Sequence, residues 1–393
     1  MKKILFLYHI STIGGGSYCL LNILKSVDRS QIEPIVLLCN DGPLVDEIKS
    51  LGIEVAFLPS MHVVPYNTST LKPTKIKNAL SILWSMKQLK GIIVTHKPDV
   101  VYCNTMMLYP YLRIAKKMGC KTFIHIREHW PKGEHKWQRK TALSHIAKYA
   151  DEIVAINRYS ASMVTSYGRT ATIVYDWVDM STRYQEMPLR DIFSEEMLDK
   201  KVFLFMGGMQ KIKGTLEVLT AFSEHLKGNE YRLLALGVVD RMEVSWIKKT
   251  IKTILSLFGR KDYCEEVGKI LRADNRIKCI PGLYNIRHLY EQAYCVISYF
   301  TIPHANLALA ESVICHTLNL AARTDESLEY SLEGELSILY EENNFRDFVN
   351  KLQSIEKCRG DYLLKMEEKS GIIEDMFNPS KNISVLNRLL ETV

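Results

Sequence analysis

Between Val202 and Gly214 the sequence reads Val-Phe-Leu-Phe-Met-Gly-Gly-Met-Gln-Lys-Ile-Lys-Gly. An apolar strand that runs into a glycine turn and then a helix start offers backbone N–H groups to an anion. Lys213 adds a fixed positive charge there, so the expected guest is a phosphate, held by Gly207, Gly208 and Lys213. A surface strand–turn–helix with no ligand is the alternative reading of the same residues. The Walker pattern Gly-x-x-x-x-Gly-Lys-Ser/Thr is absent, which argues against a nucleotide hydrolase.

Three further groups could do chemistry. His125, Arg127, Glu128 and His129 follow the strand Thr122–Ile126, at the end where open α/β sheets bind substrates. Period-two geometry puts His125 and Arg127 on one face at first, and the group lacks metal-ligand spacing. Glu311 follows the small, apolar run Asn306–Ala310, where an acid is costly to hide without a partner. Ribose hydroxyls would supply two donors; a helix glutamate facing water is the alternative. Gly14-Gly15-Gly16-Ser17 follows the first strand without Gly-x-Gly-x-x-Gly spacing, and neither Asp28 nor Asp41 ends a second strand. That counts against hydride transfer. It reads as a loop touching phosphate or substrate, or as a turn letting the backbone pass close to another domain. His288 and His304 are weaker leads.

These groups need a scaffold of strands with their carboxyl ends in common. Strands are predicted at Ile4–Tyr8, Glu33–Cys39, Glu54–Phe57, Val100–Cys103, Thr122–Ile126, Glu152–Ala155 and Ala171–Val174, with helices between them. Residues 180–200 are polar, contain Pro188 and read as a link. The rhythm restarts at Val202–Met206, Tyr231–Leu236, Ile277–Ile280, Cys295–Ser298 and Thr317–Ala321. A chain of 393 residues exceeds what one core usually serves, so two α/β domains are expected, their facing sheets lining a cleft.

The net charge of +7 is unevenly spread. No acid occurs from Ala56 through Pro98, while Lys72, Lys75, Lys77, Lys87, Lys90 and Lys97 fall inside, and Arg241–Lys261 is a second basic cluster. Within residues 72–90 and 247–261, lysines flank apolar helical faces. Each stretch packs on its own sheet or meets an anionic membrane surface. Neither has the aromatic interleaving of a nucleic-acid binder. Nine scattered cysteines without a Cys-x-x-Cys pair suit reduced thiols and the cytoplasm. The N-terminus reads as a first strand and not as a signal peptide, and no window approaches the ~20 apolar residues of a bilayer span.

Together the motifs resemble the retaining glycosyltransferases of family 4, which have the GT-B fold of two Rossmann-like domains facing an interdomain cleft. The resemblance covers nearly the whole chain. The family's glycine loop corresponds to Gly14–Ser17, its strand ending in histidine to His125, and its Asn-Gly-Val-Asp segment to Asp176-Trp177-Val178-Asp179. Its diphosphate motif falls on Gly207-Gly208-Met209 with Lys213-Gly214, and its Glu-x7-Glu helix motif on Pro303 to Glu311. Three departures mark an outlying branch. Gly208 stands in place of arginine, so the second diphosphate cation is Lys211 or Arg323 or is missing; Pro303 replaces the first glutamate; and Asp325-Glu326 replaces a Gly-Gly pair before Glu329.

The resemblance implies an acceptor-side domain over residues 1–178, a nucleotide-sugar domain over 179–375, and a segment 376–393 that packs back on the first. It implies a hexosyltransferase-like enzyme that uses a UDP- or GDP-linked sugar, with no cofactor and no metal. The acceptor would be a glycan or a polyprenyl-linked species, in bacterial capsule or lipopolysaccharide assembly at the inner face of the membrane. His125 would orient the sugar, Arg127 and Glu128 would shape the acceptor side, and Lys213 would stabilise the leaving diphosphate. Gly15, Gly16, Gly207, Gly208, His304, Asn306, Leu307 and Glu311 would complete the binding site, Glu311 holding the ribose. A noncatalytic nucleotide-sugar or glycan binder and a glycoside hydrolase are the alternatives, although no carboxylate pair stands out for the latter.

Overall fold

The computed structural model describes residues 1–64, 73–131, 136–177, 187–238, 262–283, 286–302 and 304–392, with the backbone alone for 73–79. Pro303, Asp179 and the basic stretch 247–261, all singled out in the sequence, lie outside the described residues. So do Lys72 and the side chains of Lys75 and Lys77. The chain divides into two compact units, Met1–Trp177 with Phe377–Val393, and Val178–Met376.

The first unit is a seven-stranded parallel sheet in the order β3-β2-β1-β4-β5-β6-β7. Its strands are β1 (Lys2–Leu7), β2 (Ile32–Leu38), β3 (Glu54–Phe57), β4 (Val100–Cys103), β5 (Lys121–Ile126), β6 (Glu152–Ala155) and β7 (Thr172–Ile173). Apolar residues are nearly continuous along the central strands because helices cover both faces. Alternate residues feed opposite cores: Leu5, Leu7, Ile35 and Leu37 enter one, Ile4, Phe6, Val36 and Leu38 the other. Each such fully buried aliphatic contributes roughly 1.5–3 kcal/mol. The C-terminal helix Pro379–Glu391 belongs to this unit. Asn378 caps it by accepting from the Lys381 amide at 3.1 Å, and Leu386 and Leu390 enter the second core. Asn382 accepts from the Tyr175 amide at 2.9 Å.

The second unit is a six-stranded parallel sheet in the order β10-β9-β8-β11-β12-β13. Its strands are β8 (Lys201–Phe205), β9 (Tyr231–Leu236), β10 (Ile277–Ile280), β11 (Cys295–Ser298), β12 (Asn319–Ala322) and β13 (Ile338–Tyr340). β13 was not read from the sequence; three residues are too few to show a period. The helix Phe345–Met376 continues far beyond the Phe345–Lys357 stretch that its pattern suggests. The link over 180–200 needs correction in its second half. Leu189–Phe193 is a helix whose Leu189 and Phe193 are buried in the second unit's core. Two apolar residues four apart were hidden by their polar neighbours.

Candidate active site

In the second unit the strand order reverses at β8, which has β9 on one side and β11 on the other. Open α/β sheets take ligands beyond the carboxyl ends of the strands at such a point. Met206–Gly214 leaves β8 there, and its turn is pinned from several sides. The Gly208 amide donates to Leu236 O at 3.2 Å, Thr215 Oγ1 donates to Gly208 O at 2.6 Å, and the Thr301 amide donates to Ile212 O at 2.9 Å. Gly214 has φ +61°, and a Cβ on it would lie 2.1 Å from Tyr299 Cδ1. The helix Thr215–His225 that follows has no side-chain cap, so its first amides stay open to an anion. Glu217, the acid of its first turn, acts on Tyr299 and Tyr340.

Lys213 is largely enclosed, and burial alone lowers its pKa. No carboxylate or hydrogen-bond acceptor meets its amine among the described residues. Of the cations suggested as substitutes for the missing arginine, Lys211 lies over the Tyr263 ring at 5.2 Å and Arg323 pairs with Glu341 at 3.3 Å. The backbone explains the glycine at 208. Its φ of +59° is left-handed, and an arginine there would cost roughly 1–2 kcal/mol.

Glu311 lies on the helix Leu307–Ile314, where the Tyr290 hydroxyl donates to it. The same hydroxyl is 3.5 Å from Met206 Sδ, which ties the carboxylate to the residue preceding Gly207. Burial raises the Glu311 pKa to about 7, against the lowering effect of Tyr290. Asn306 begins that helix without capping it by its side chain; it is buried and its Nδ2 has no partner among the described residues. Leu307 is the helix's first residue, and His304 stands 5.4 Å from the Phe300 ring.

In the first unit the order reverses between β1 and β4. Gly15 and Gly16 open the helix Gly15–Ser26 just after β1, and a Cβ on Gly16 would lie 2.6 Å from the Tyr8 hydroxyl. His125, inside β5, is buried. Its Nδ1 faces the Tyr102 hydroxyl at 2.7 Å and Arg127 Nη2 at 3.2 Å. A guanidinium only donates, so Nδ1 is the acceptor and Nε2 carries the proton. Burial and the Arg127 charge hold the ring's pKa well below the ordinary value, so it is neutral. Arg127 also donates to Asn104 Oδ1 at 3.3 Å and pairs with Asp176. Burial opposes its charge, but the Asp176 carboxylate prevails and raises its pKa. Glu128 accepts from Thr105 Oγ1 and from the amides of Met106 and Arg127, each amide at 3.0 Å. Both its oxygens are thereby engaged within the protein. Burial nonetheless raises its pKa.

Sequence reasoning missed Tyr102, Asn104 and Tyr290. Asn104 directly follows β4, so its place at a strand exit was the available signal. Tyr290 gave none.

Residues 13–182 match the model of Glycosyltransferase Family 4. No curated protein sequence matches the chain. HepE of Anabaena, solved with UDP and glucose, is similar over 100% of both chains, with 16% identity and a TM-score of 0.75. A glycosyltransferase from Rickettsia africae is 17% identical over 100% of this chain and 99% of its own, with a TM-score of 0.66. MnaA of S. aureus, solved with UDP, is 15% identical over 100% of this chain and 98% of its own, with a TM-score of 0.65. The fold is GT-B.

Proposed function

From a chain whose residues 13–182 match the Glycosyltransferase Family 4 model, we propose that it moves a sugar from a UDP- or GDP-linked donor to a hydroxyl of a glycan or polyprenyl-linked acceptor, with retention at the anomeric carbon. The observation that carries this reading is Lys213, desolvated and with no counter-ion among the described residues, beside a helix start without a side-chain cap, in the same unit as Glu311, which Tyr290 ties to Met206 at the head of that turn. A nucleoside diphosphate supplies what both lack: anionic oxygens for the lysine and amides, and two hydroxyl donors for the carboxylate. That HepE was solved with UDP-glucose supports a uridine donor.

As the bond between C1 and the diphosphate oxygen breaks, negative charge grows on the leaving group and the sugar becomes cation-like. Lys213 and the amides near Gly207–Thr215 meet that charge without reorganising. The acceptor hydroxyl attacks the face the diphosphate leaves, and the departing phosphate takes its proton. In this reading His125 donates a hydrogen bond to the sugar through Nε2, and Glu128 holds the turn at Thr105–Met106.

The direct test is a panel of UDP- and GDP-sugars with and without glycan and polyprenyl phosphate acceptors. Acceptor-dependent release of nucleoside diphosphate, with a glycosylated product, is expected. Rapid hydrolysis with no acceptor product would sink the transferase. Nucleotide binding without any turnover would favour the noncatalytic reading, which the glycine at 208 supports.

The membrane partner rests on the helix Pro73–His96. Leu80, Leu83, Trp84 and Val94 are exposed along it, with Lys87 over the Trp84 ring at 5.7 Å. An apolar stripe within an acid-free, lysine-rich stretch suits anionic lipid. Sedimentation with phosphatidylglycerol vesicles, weak with phosphatidylcholine, is expected. Equal partitioning after Leu83→Gln, Trp84→Gln and Lys87→Gln together would remove the assignment. No described helix is long and apolar enough to cross a membrane.

A further inference from the structure

We propose that Asn104 and His125, both held by Arg127, which Asp176 anchors, each offer a neutral N–H donor to saccharide oxygens; this rests on the transferase reading and adds Asn104 to it. Asn104 is 0% exposed and His125 1%, yet Asn104 Nδ2 and His125 Nε2 have no hydrogen-bond partner among the described residues. Orphaned donors at that depth are costly unless a ligand or water meets them.

Their orientation is determined by Arg127. Its Nε–H can only donate, so the Asn104 amide must turn its oxygen to the guanidinium and its NH2 away. Nη2 fixes His125 in the same way, taking the Nδ1 lone pair and leaving the buried Nε2–H without an acceptor among the described residues. One planar cation, itself anchored on Asp176, therefore aims two neutral donors.

The charge around the pair selects the ligand class. Arg127 is offset by Asp176 and further by Glu128, which acts on it electrostatically. An anion would meet a compensated guanidinium, whereas sugar hydroxyl or ring oxygens accept from neutral N–H groups at no cost in charge. Such an oxygen can come from the donor sugar or from the acceptor glycan.

The discriminating variant is Asn104→Asp. It keeps an oxygen for Arg127 and the side-chain shape, but replaces the donor NH2 with an acceptor. If Asn104 only braced Arg127, this change would be tolerated. A loss of roughly 10- to 100-fold in kcat/KM with an unchanged Tm is expected instead. When the donor sugar is the source, Kd for the nucleotide sugar worsens and Kd for the free nucleotide does not. When the acceptor is the source, the acceptor KM rises alone. Arg127→Lys keeps the charge but not the fork, and its loss should overlap with that of Asn104→Asp in the double variant rather than add to it. Wild-type kinetics in Asn104→Asp with both substrates would overturn the subsite. If the wild type turns over no nucleotide sugar, the transferase reading fails separately. Saturation-transfer NMR with the same sugars and oligosaccharides then decides the subsite: contact present in wild type and lost in Asn104→Asp supports it, and equal or absent contact overturns it.

Discussion

Replacing Lys213 with alanine is expected to lower kcat/KM for the nucleotide sugar by roughly 10²–10³-fold, the usual cost of removing one preorganised stabiliser of transition-state charge. The larger share should appear in kcat, because the charge on the leaving diphosphate grows as the bond breaks. Stability should move the other way. An enclosed ammonium with no counter-ion among the described residues costs free energy in the ligand-free protein, so Lys213→Ala or Lys213→Met should melt at the same temperature or higher. The pH dependence separates this from a local packing effect. Burial lowers the folded pKa of Lys213 below the ordinary 10.5, so between those two values the unfolded chain holds more of the proton. Ligand-free stability therefore rises with pH across that window, and the variant lacks that rise. Thermal melts at several pH values, paired with initial rates, check both halves. A variant that loses stability but not turnover would make Lys213 structural.

Much of this was legible before any coordinates. Near-continuous runs such as Ile4–Leu7 and Val100–Cys103 suit a parallel sheet covered on both faces, so the places and count of the first unit's strands followed closely, while their order across the sheet did not follow from the runs. The turn at Gly207–Gly214 was legible because glycine and lysine are each conspicuous beside an apolar strand. What stayed hidden depends on contacts between distant residues. Whether Glu311 faced water or a partner could not be read from its own helix, since the hydroxyl that meets it, on Tyr290, arrives from another element. Arg127 looked like a substrate contact by type and place. Its ties to Asp176, Asn104 and His125 give it a positioning part that no spacing rule encodes. The glycine at 208 read as a missing arginine; its positive φ shows that the local turn itself calls for glycine.

Glu311 gives the second large effect, and its sign with pH is the sharpest check on the donor site. An ionised carboxylate accepting from two ribose hydroxyls makes two charge-assisted hydrogen bonds, each worth about 1.5–3 kcal/mol. Glu311→Ala should therefore raise Kd for the nucleotide by roughly 10²-fold or more, with Glu311→Gln between it and wild type because one acceptor remains. Burial raises the free protein's Glu311 pKa to about 7 from 4.5 in the unfolded chain. Below pH 7 the group is protonated and loses acceptor capacity, so nucleotide affinity should fall as pH drops through 7 and level off above it. Stability without ligand should run oppositely. Between 4.5 and about 7 the folded chain binds more protons than the unfolded one, so this group's contribution falls as pH rises through that window and is lowest above it. Glu311→Gln should flatten both profiles and melt higher than wild type at pH 8. Tyr290→Phe removes the hydrogen bond that lowers the carboxyl's pKa, so its affinity inflection should move to higher pH while Glu311 itself is unchanged. Calorimetric titrations with UDP and GDP from pH 5.5 to 8.5 read all of this. An affinity in wild type that is flat through pH 7, or that Glu311→Gln leaves unaltered, would place the ribose elsewhere and leave the donor held at its diphosphate, by Lys213 and the amides near Gly207–Thr215.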